Sequence, residues 1–243
     1  FHLQWAKGLD ECSRVQAYGI KLVLSLRGAH INYSPIADPG LADMYRRHFP
    51  QVDGFHAVSK AIAGEAVLYG AKPEKIKVVY SGLNLKEFPY AIYKRTTTFQ
   101  IISVGRPHWK KGYTYALDAI KLLKEKTDFH FHYTIVGAAK DIELLYQVED
   151  LNLQSEVSLV SYQRLSEVKT RIQNTDLLVL PSVEEGIANV VLEAMALGTM
   201  VLTTDCGGMT VVVTDGVNGF VVPIRNSERM AEAIMAITQL AED

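Results

Sequence analysis

The 243-residue chain is poor in the features that assign a class by composition alone. Two cysteines, Cys12 and Cys206, supply neither a disulfide framework nor the paired spacing of a zinc site, so a reducing cytoplasm is the default compartment. No apolar run reaches the length of a membrane span, and the residues from Phe1 onward do not show the charged-then-apolar layout of a secretory leader. There is no internal repeat and no low-complexity segment. The formal net charge is −2, and no basic run offers a stripe that could track the phosphates of a nucleic acid. What remains is ordinary globular material, 48% hydrophobic and 21% charged, with enough core for one or two domains.

Short apolar runs alternate with helical patterns along the whole chain, which implies parallel sheets. In the first third, residues 1–5 read as the end of a strand, and 21–26, 53–58 and 76–80 as further strands. Ser59 is placed to cap a helix with Ile62, Ala63, Ala66 and Val67 on one face and Gly70 at its end. Residues 89–98, PYAIYKRTTT, have poor periodicity and read as a linker. A second series follows, with strands at 100–104, 130–136, 156–160, 177–180, 200–203 and 220–222. Helices are expected near 113–126, 141–149, 166–172, 190–197 and 227–240. The expected domains are therefore 1–88, shorter than the ~100 residues a complete domain of this type needs, and 99–243, a nearly complete doubly wound Rossmann-like domain.

The most informative stretch is 177–204, LLVLPSVEEGIANVVLEAMALGTMVLTT. An apolar strand closed by Pro181 leads through a polar, glycine-containing loop to a short helix, for which Asn189 is the expected cap and Gly198 the stop. Ligands bind at the carboxyl ends of the strands in such sheets, and a helix N-terminus there presents free N–H groups to an anion. Glu185 and Glu193 stand eight positions apart across the same corner. Carboxylates beside an anion site make sense when the ligand also carries hydroxyls, since a carboxylate accepts strong hydrogen bonds from them. That combination describes a nucleotide sugar. On spacing alone, a solvent-facing Glu193 and a plain loop charge at Glu185 remain equally good readings.

The turn after the first strand of the second series reads Gly105-Arg106-Pro107-His108-Trp109-Lys110-Lys111-Gly112. Gly105 permits a tight exit from the strand, and Arg106 and Lys111 can converge on an anion, the one as a two-pronged grip and the other as a point charge. Lys110 reads as solvated.

Pro181-Ser182, Glu185-Gly186 and, after seven intervening residues, Glu193-Ala194-Met195-Ala196 with Gly198 resemble the E-x7-E signature of retaining GT-B glycosyltransferases, specifically glycosyltransferase family 4. The Gly105–Gly112 turn is similar to that family's G-R-x4-K-G pattern, and VSK followed by PEKIKVVYSGLNLKEF is similar to its exit from the N-terminal domain. The resemblance implies a GT-B architecture, two Rossmann-like domains with parallel sheets, of which the N-terminal, acceptor-side one is incomplete here, and further helices beyond Asp243. It implies transfer of a sugar from a nucleotide-diphosphate sugar, such as a UDP- or GDP-sugar, to an acceptor hydroxyl. Anomeric configuration is retained, with neither cofactor nor metal, and the setting is cell-surface polysaccharide or glycoconjugate synthesis. Arg106 and Lys111 would neutralise the departing diphosphate, Glu185 would bind donor-sugar hydroxyls and Glu193 the ribose. The amides of Gly186, Ile187, Ala188, Asn189 and Val190, with Gly105, would hold the sugar and diphosphate. Tyr162 and Gln163 fall where relatives hold the base, and Arg27 where many place a histidine near the reacting centre. The acceptor would be a glycan, a lipid-linked or a small molecule, with peripheral membrane association common among relatives. Two departures stand out: Ala188 replaces a second glycine, and Val211 a glutamate. Two rival readings remain, a GT-B-like sugar-nucleotide epimerase and a non-catalytic nucleotide-sugar-binding remnant. His130 and His132 share a strand face without a third ligand, and Trp5, Trp109, Tyr113 and Tyr115 read as packing.

Overall fold

A computed structural model describes residues 1–90 and 97–240. The chain divides into two compact units, Phe1–Gly82 and Leu83–Asp243. The expected first domain runs six residues further than the first unit, because Phe88 is buried in the core of the second unit and Leu83 packs against it. Six residues of the expected linker, 91–96, lie outside the described residues.

The first unit carries a four-stranded parallel sheet in the order β1 (His2–Leu3), β2 (Val23–Leu26), β3 (Gly54–Ala57), β4 (Ile76–Val78). Its own core gathers Leu22, Leu24, Leu26, Tyr45, Phe49 and Phe55. Ser59 caps the helix Lys60–Leu68 by accepting from the Ile62 N–H at 3.2 Å. Val67, expected on the buried face with Ile62 and Ala66, stands exposed. The helix Pro39–His48, capped by Asp38, has no counterpart in the sequence reading.

The second unit holds a six-stranded parallel sheet in the order β10-β9-β8-β5-β6-β7. Its strands are β5 (Phe99–Val104), β6 (Phe131–Val136), β7 (Val157–Val160), β8 (Leu177–Leu180), β9 (Met200–Thr204) and β10 (Phe220–Val222). Helices cover both faces, and β8 shows why its sequence is apolar without a break. Leu177 and Val179 enter one core cluster, with the helices Tyr113–Lys126 and Ser227–Leu240, while Leu178 and Leu180 enter the other, with Leu165–Gln173 and Asn189–Leu197. A strand buried on both faces keeps every side chain out of water. The chain winds outward from β5 through β6 to β7, then returns to β8 and winds the other way. The carboxyl ends of β5 and β8 therefore flank the point where strand order reverses, the place where open α/β sheets bind ligands.

Candidate functional site

The turn after β5 is built by close backbone contact. Gly105 donates to the Val136 carbonyl at 3.0 Å, and its own carbonyl accepts from the Tyr113 hydroxyl at 3.1 Å. The Lys111 side chain lies over Gly105, where an added Cβ would stand 3.6 Å from Lys111 Cε. Gly112 has φ +64°, and a Cβ there would fall 2.0 Å from the Pro181 carbonyl oxygen. Only glycine tolerates both conditions.

The loop after β8 is locked to this turn. Val183 N–H donates to the Lys110 carbonyl at 2.7 Å, and on the far side Gly208 N–H donates to the Gly186 carbonyl at 2.9 Å. Gly207, at φ +52°, fits so tightly that a Cβ would lie 1.7 Å from the Glu185 carbonyl oxygen. The glycine pair after β9 is thus a packing surface for the Glu185 loop, and a Cβ on Gly208 would stand 2.7 Å from the Gly186 carbonyl oxygen and 3.2 Å from Ile187 Cγ1.

Between these walls Lys111 Nζ meets Glu185 Oε2 at 2.7 Å, with side chains 18% and 16% exposed. Arg106, in the same turn, is exposed and has no ion pair among the described residues. Glu193 lies one turn into the helix Asn189–Leu197, half-buried and unpaired among the described residues. Burial holds its carboxyl above the ordinary range, and the Lys169 ammonium opposes that shift. Lys169 itself donates to the Glu87 carbonyl at 2.8 Å and sits 3.9 Å over the Phe88 ring.

Asn189 is not the cap. The helix starts at Asn189, with Ala188 in the cap position and no side-chain oxygen to serve the first turn. Ala188 keeps the extended backbone of a cap, φ −78° and ψ 117°, so helical geometry begins one residue early at Asn189; Ala188 is buried, and its N–H donates to Met209 Sδ at 3.4 Å. Of the expected anion-binding amides, that of Ala188 is therefore engaged. Those of Gly186, Ile187, Asn189 and Val190 have no partner among the described residues. An uncapped helix start leaves N–H groups free for an anion.

Within the second unit, Tyr162 and Gln163 lie apart from this cluster. Both follow β7, two strands from β5. Tyr162 is exposed, and Gln163 Oε1 accepts from Arg171 Nε at 2.7 Å. Arg27 belongs to the first unit, exposed at the end of β2. Val211 is exposed in a short turn, Met209–Val211. His132 bonds Ser158 at 2.8 Å, and the described residues contain no cluster able to hold a metal ion. Of the residues read as packing, Tyr113 is buried but also supports Gly105, while Trp5 and Trp109 are half exposed. Tyr113, Met209 and Lys169 were not legible as site residues, since each acts through a long-range contact. A hollow of about 360 Å³ borders the same turn, lined by Pro107, Trp109 and Ile142 on the β6 side, away from the Lys111–Glu185 pair.

No helix among the described residues is long and apolar enough to cross a membrane. The chain is 31% identical over 207 residues to the provisionally assigned colanic acid biosynthesis glycosyltransferase WcaL of Escherichia coli (strain K12), covering 82% of this chain and 51% of that protein. It is 27% identical over 227 residues to the amylovoran biosynthesis glycosyltransferase AmsK of Erwinia amylovora, covering 90% and 55%. The chain thus spans about half the length of these relatives. In three dimensions it is similar to Anabaena Alr3699/HepE, crystallised with UDP-glucose, at TM-score 0.81 and 20% identity, over 99% of this chain and 69% of that one. That likeness confirms the expected fold, α/β with two parallel sheets as in GT-B glycosyltransferases. Residues 86–243, which contain the whole Lys111–Glu185 corner, match the family described as glycosyl transferases group 1, and the chain belongs to that family.

Proposed function

We propose that this chain carries the donor-binding part of a retaining, metal-independent glycosyltransferase of family 4, which moves a hexose from a nucleotide-diphosphate sugar to an acceptor hydroxyl. The observation that carries this reading is the meeting of a cation and a carboxylate at the reversal of strand order, beside an uncapped helix start. Breaking the bond between sugar C1 and phosphate places negative charge on the β-phosphate and positive character on the sugar ring. Arg106, Lys111 and the free amides of Gly186, Ile187, Asn189 and Val190 stabilise the former; preorganised donors aimed at developing charge are a large catalytic contribution. These cations supply the charge that a divalent metal supplies in other transferases. Glu185 accepts hydrogen bonds from the donor sugar and Glu193 from the ribose, while the leaving phosphate helps to deprotonate the acceptor on the same face. Gly105 lets the diphosphate approach the strand end. Base contacts from Tyr162 and Gln163, and a donor contact from Arg27, rest on the resemblance alone. The relatives assigned to colanic acid and amylovoran biosynthesis support a setting in polysaccharide synthesis, whereas the acceptor (a glycan, a lipid-linked or a small molecule) and a place on the cytoplasmic side of the membrane rest on the resemblance.

The test is a thermal-shift panel of UDP-, GDP- and ADP-sugars on the wild type, Glu193→Ala and Arg106→Ala. Stabilisation of the wild type, lost in both variants, supports the assigned roles; no shift with any sugar nucleotide overturns them. Nucleotide released only in the presence of an acceptor marks a transferase, and donor epimerised without acceptor marks an epimerase. Val211 in place of the usual glutamate favours the binding-only alternative, which binding without either turnover would establish.

A further inference from the structure

Of the two cations in the turn after β5 that can converge on an anion, Arg106 and Lys111, one is already engaged. Lys111 Nζ lies 2.7 Å from Glu185 Oε2, and both side chains are more than four-fifths buried, where water and salt screen the pair little. The backbone on either side has no freedom to separate them. Val183 is tied to the Lys110 carbonyl, Gly208 to the Gly186 carbonyl, and Gly207 abuts the Glu185 carbonyl with no room for a methyl group. The pair can part only by rotation of its own two side chains. Arg106, by contrast, has no ion pair among the described residues. An incoming diphosphate thus finds Arg106 open and Lys111 held.

We propose that Glu185 is a built-in competitor of the nucleoside diphosphate for Lys111, so that the site keeps a nucleotide only while the nucleotide carries its sugar. The inference rests on the donor-site reading above and deepens it. When an intact sugar nucleotide binds, the diphosphate takes Lys111, and the sugar hydroxyls donate to the carboxylate that Lys111 has left; both new contacts are charge-assisted. When the sugar has gone, Glu185 has no donor, and its negative charge faces the diphosphate across a poorly screened space. It reclaims Lys111, and the bare nucleotide leaves. One carboxylate thereby does two things: it recognises the sugar and it discriminates against the product. The uniform tightening that a second free cation would give, which holds substrate and product alike, is avoided.

The experiment is calorimetric titration of the wild type and Glu185→Gln with UDP, UDP-glucose, GDP and GDP-mannose. The wild type should bind the sugar nucleotide more tightly than the matching diphosphate. Glu185→Gln should bind the bare diphosphate about tenfold more tightly than the wild type does, the scale of one hydrogen bond to a charged group. Its affinity for the sugar nucleotide should not rise, so the preference narrows or reverses. Bare-diphosphate affinity that is unchanged or weakened in Glu185→Gln overturns the proposal while leaving the donor site intact. A wild type that binds none of the four probes overturns the donor-site reading and the proposal together. If Glu185→Gln does not fold, Glu185→Asp, which withdraws the carboxylate by one methylene, should show the same gain in diphosphate affinity to a smaller degree, and no gain overturns the proposal.

Discussion

At the residue scale, charge placement makes the corner after β5 and β8 testable. Glu193 is the clearest case, because burial raises its carboxyl above the ordinary value of 4.5. A raised value means that the folded protein holds the proton more tightly than the unfolded chain does. The folded state is therefore penalised as pH rises from the ordinary value through the folded one, and that penalty is complete above it. For ligand binding the same shift acts in the other direction. If the ionised carboxylate accepts the ribose hydroxyls, sugar-nucleotide affinity is full above the folded value and fails as pH falls through it, earlier on the acid side than for an ordinary glutamate. Titrating affinity between pH 4 and 8 should show an inflection above 4.5 that is missing in Glu193→Gln; an identical profile in the variant would remove Glu193 from the site. The Lys111–Glu185 pair supports a second prediction. Lys111→Met strands a largely buried carboxylate and should cost about 1–3 kcal/mol in urea unfolding, together with the donor-dependent thermal shift.

At the element scale, the site depends on three loops lying against one another at backbone distance. Gly112→Ala forces a side chain into a left-handed conformation and toward the Pro181 carbonyl, and Gly207→Ala does the same toward the Glu185 carbonyl. Gly216, at φ +69°, has open space around it and serves as the reference for conformational strain alone. Gly216→Ala should cost about 1 kcal/mol and leave nucleotide binding unchanged. Gly112→Ala and Gly207→Ala should each cost more and abolish the nucleotide-induced shift, since the displaced loop carries Glu185. Equal losses in all three variants would mean that the close approaches relax without consequence.

At the scale of the whole molecule, each unit owns a separate core, and the two should unfold as separable transitions. Asp53 reports on the first. Its carboxylate accepts from the Leu22 N–H at 2.9 Å, from Gln16 at 3.0 Å and from Lys21 at 3.1 Å, which holds it down to about 2. A depressed carboxyl contributes stability above its ordinary value that is lost as pH falls toward the folded one. Between pH 4 and 2 the first unit should therefore lose stability that Asp53→Asn already lacks. In scanning calorimetry Asp53→Asn should move one transition and Gly112→Ala the other; a single transition shifted by both would show one cooperative body.

The sequence by itself determined the fold class and nearly every element of the second unit. Helices 113–126 and 227–240 and strands 177–180 and 220–222 carry unbroken local signals, either a 3.6-residue stripe or an apolar run too short for a helix. It also placed Arg106 and Glu185 in the loops that leave two strands, Lys111 just before the next helix and Glu193 inside the helix that follows its loop, because glycines and prolines mark where strands stop and helices start. Tertiary structure decided what those residues meet. That Lys111 pairs with Glu185 depends on β5 lying beside β8, 76 residues along the chain for the pair Ser103 and Val179, and no local pattern encodes that neighbour. That the buried Ala188 N–H meets Met209 Sδ depends on the next strand-to-helix turn, 21 residues on, lying against this one. That Leu83–Phe88 joins the second unit depends on Phe88 finding the core under Lys169. Local propensity chooses elements; contacts between residues far apart in sequence choose partners, and in this protein the chemistry belongs to the partners.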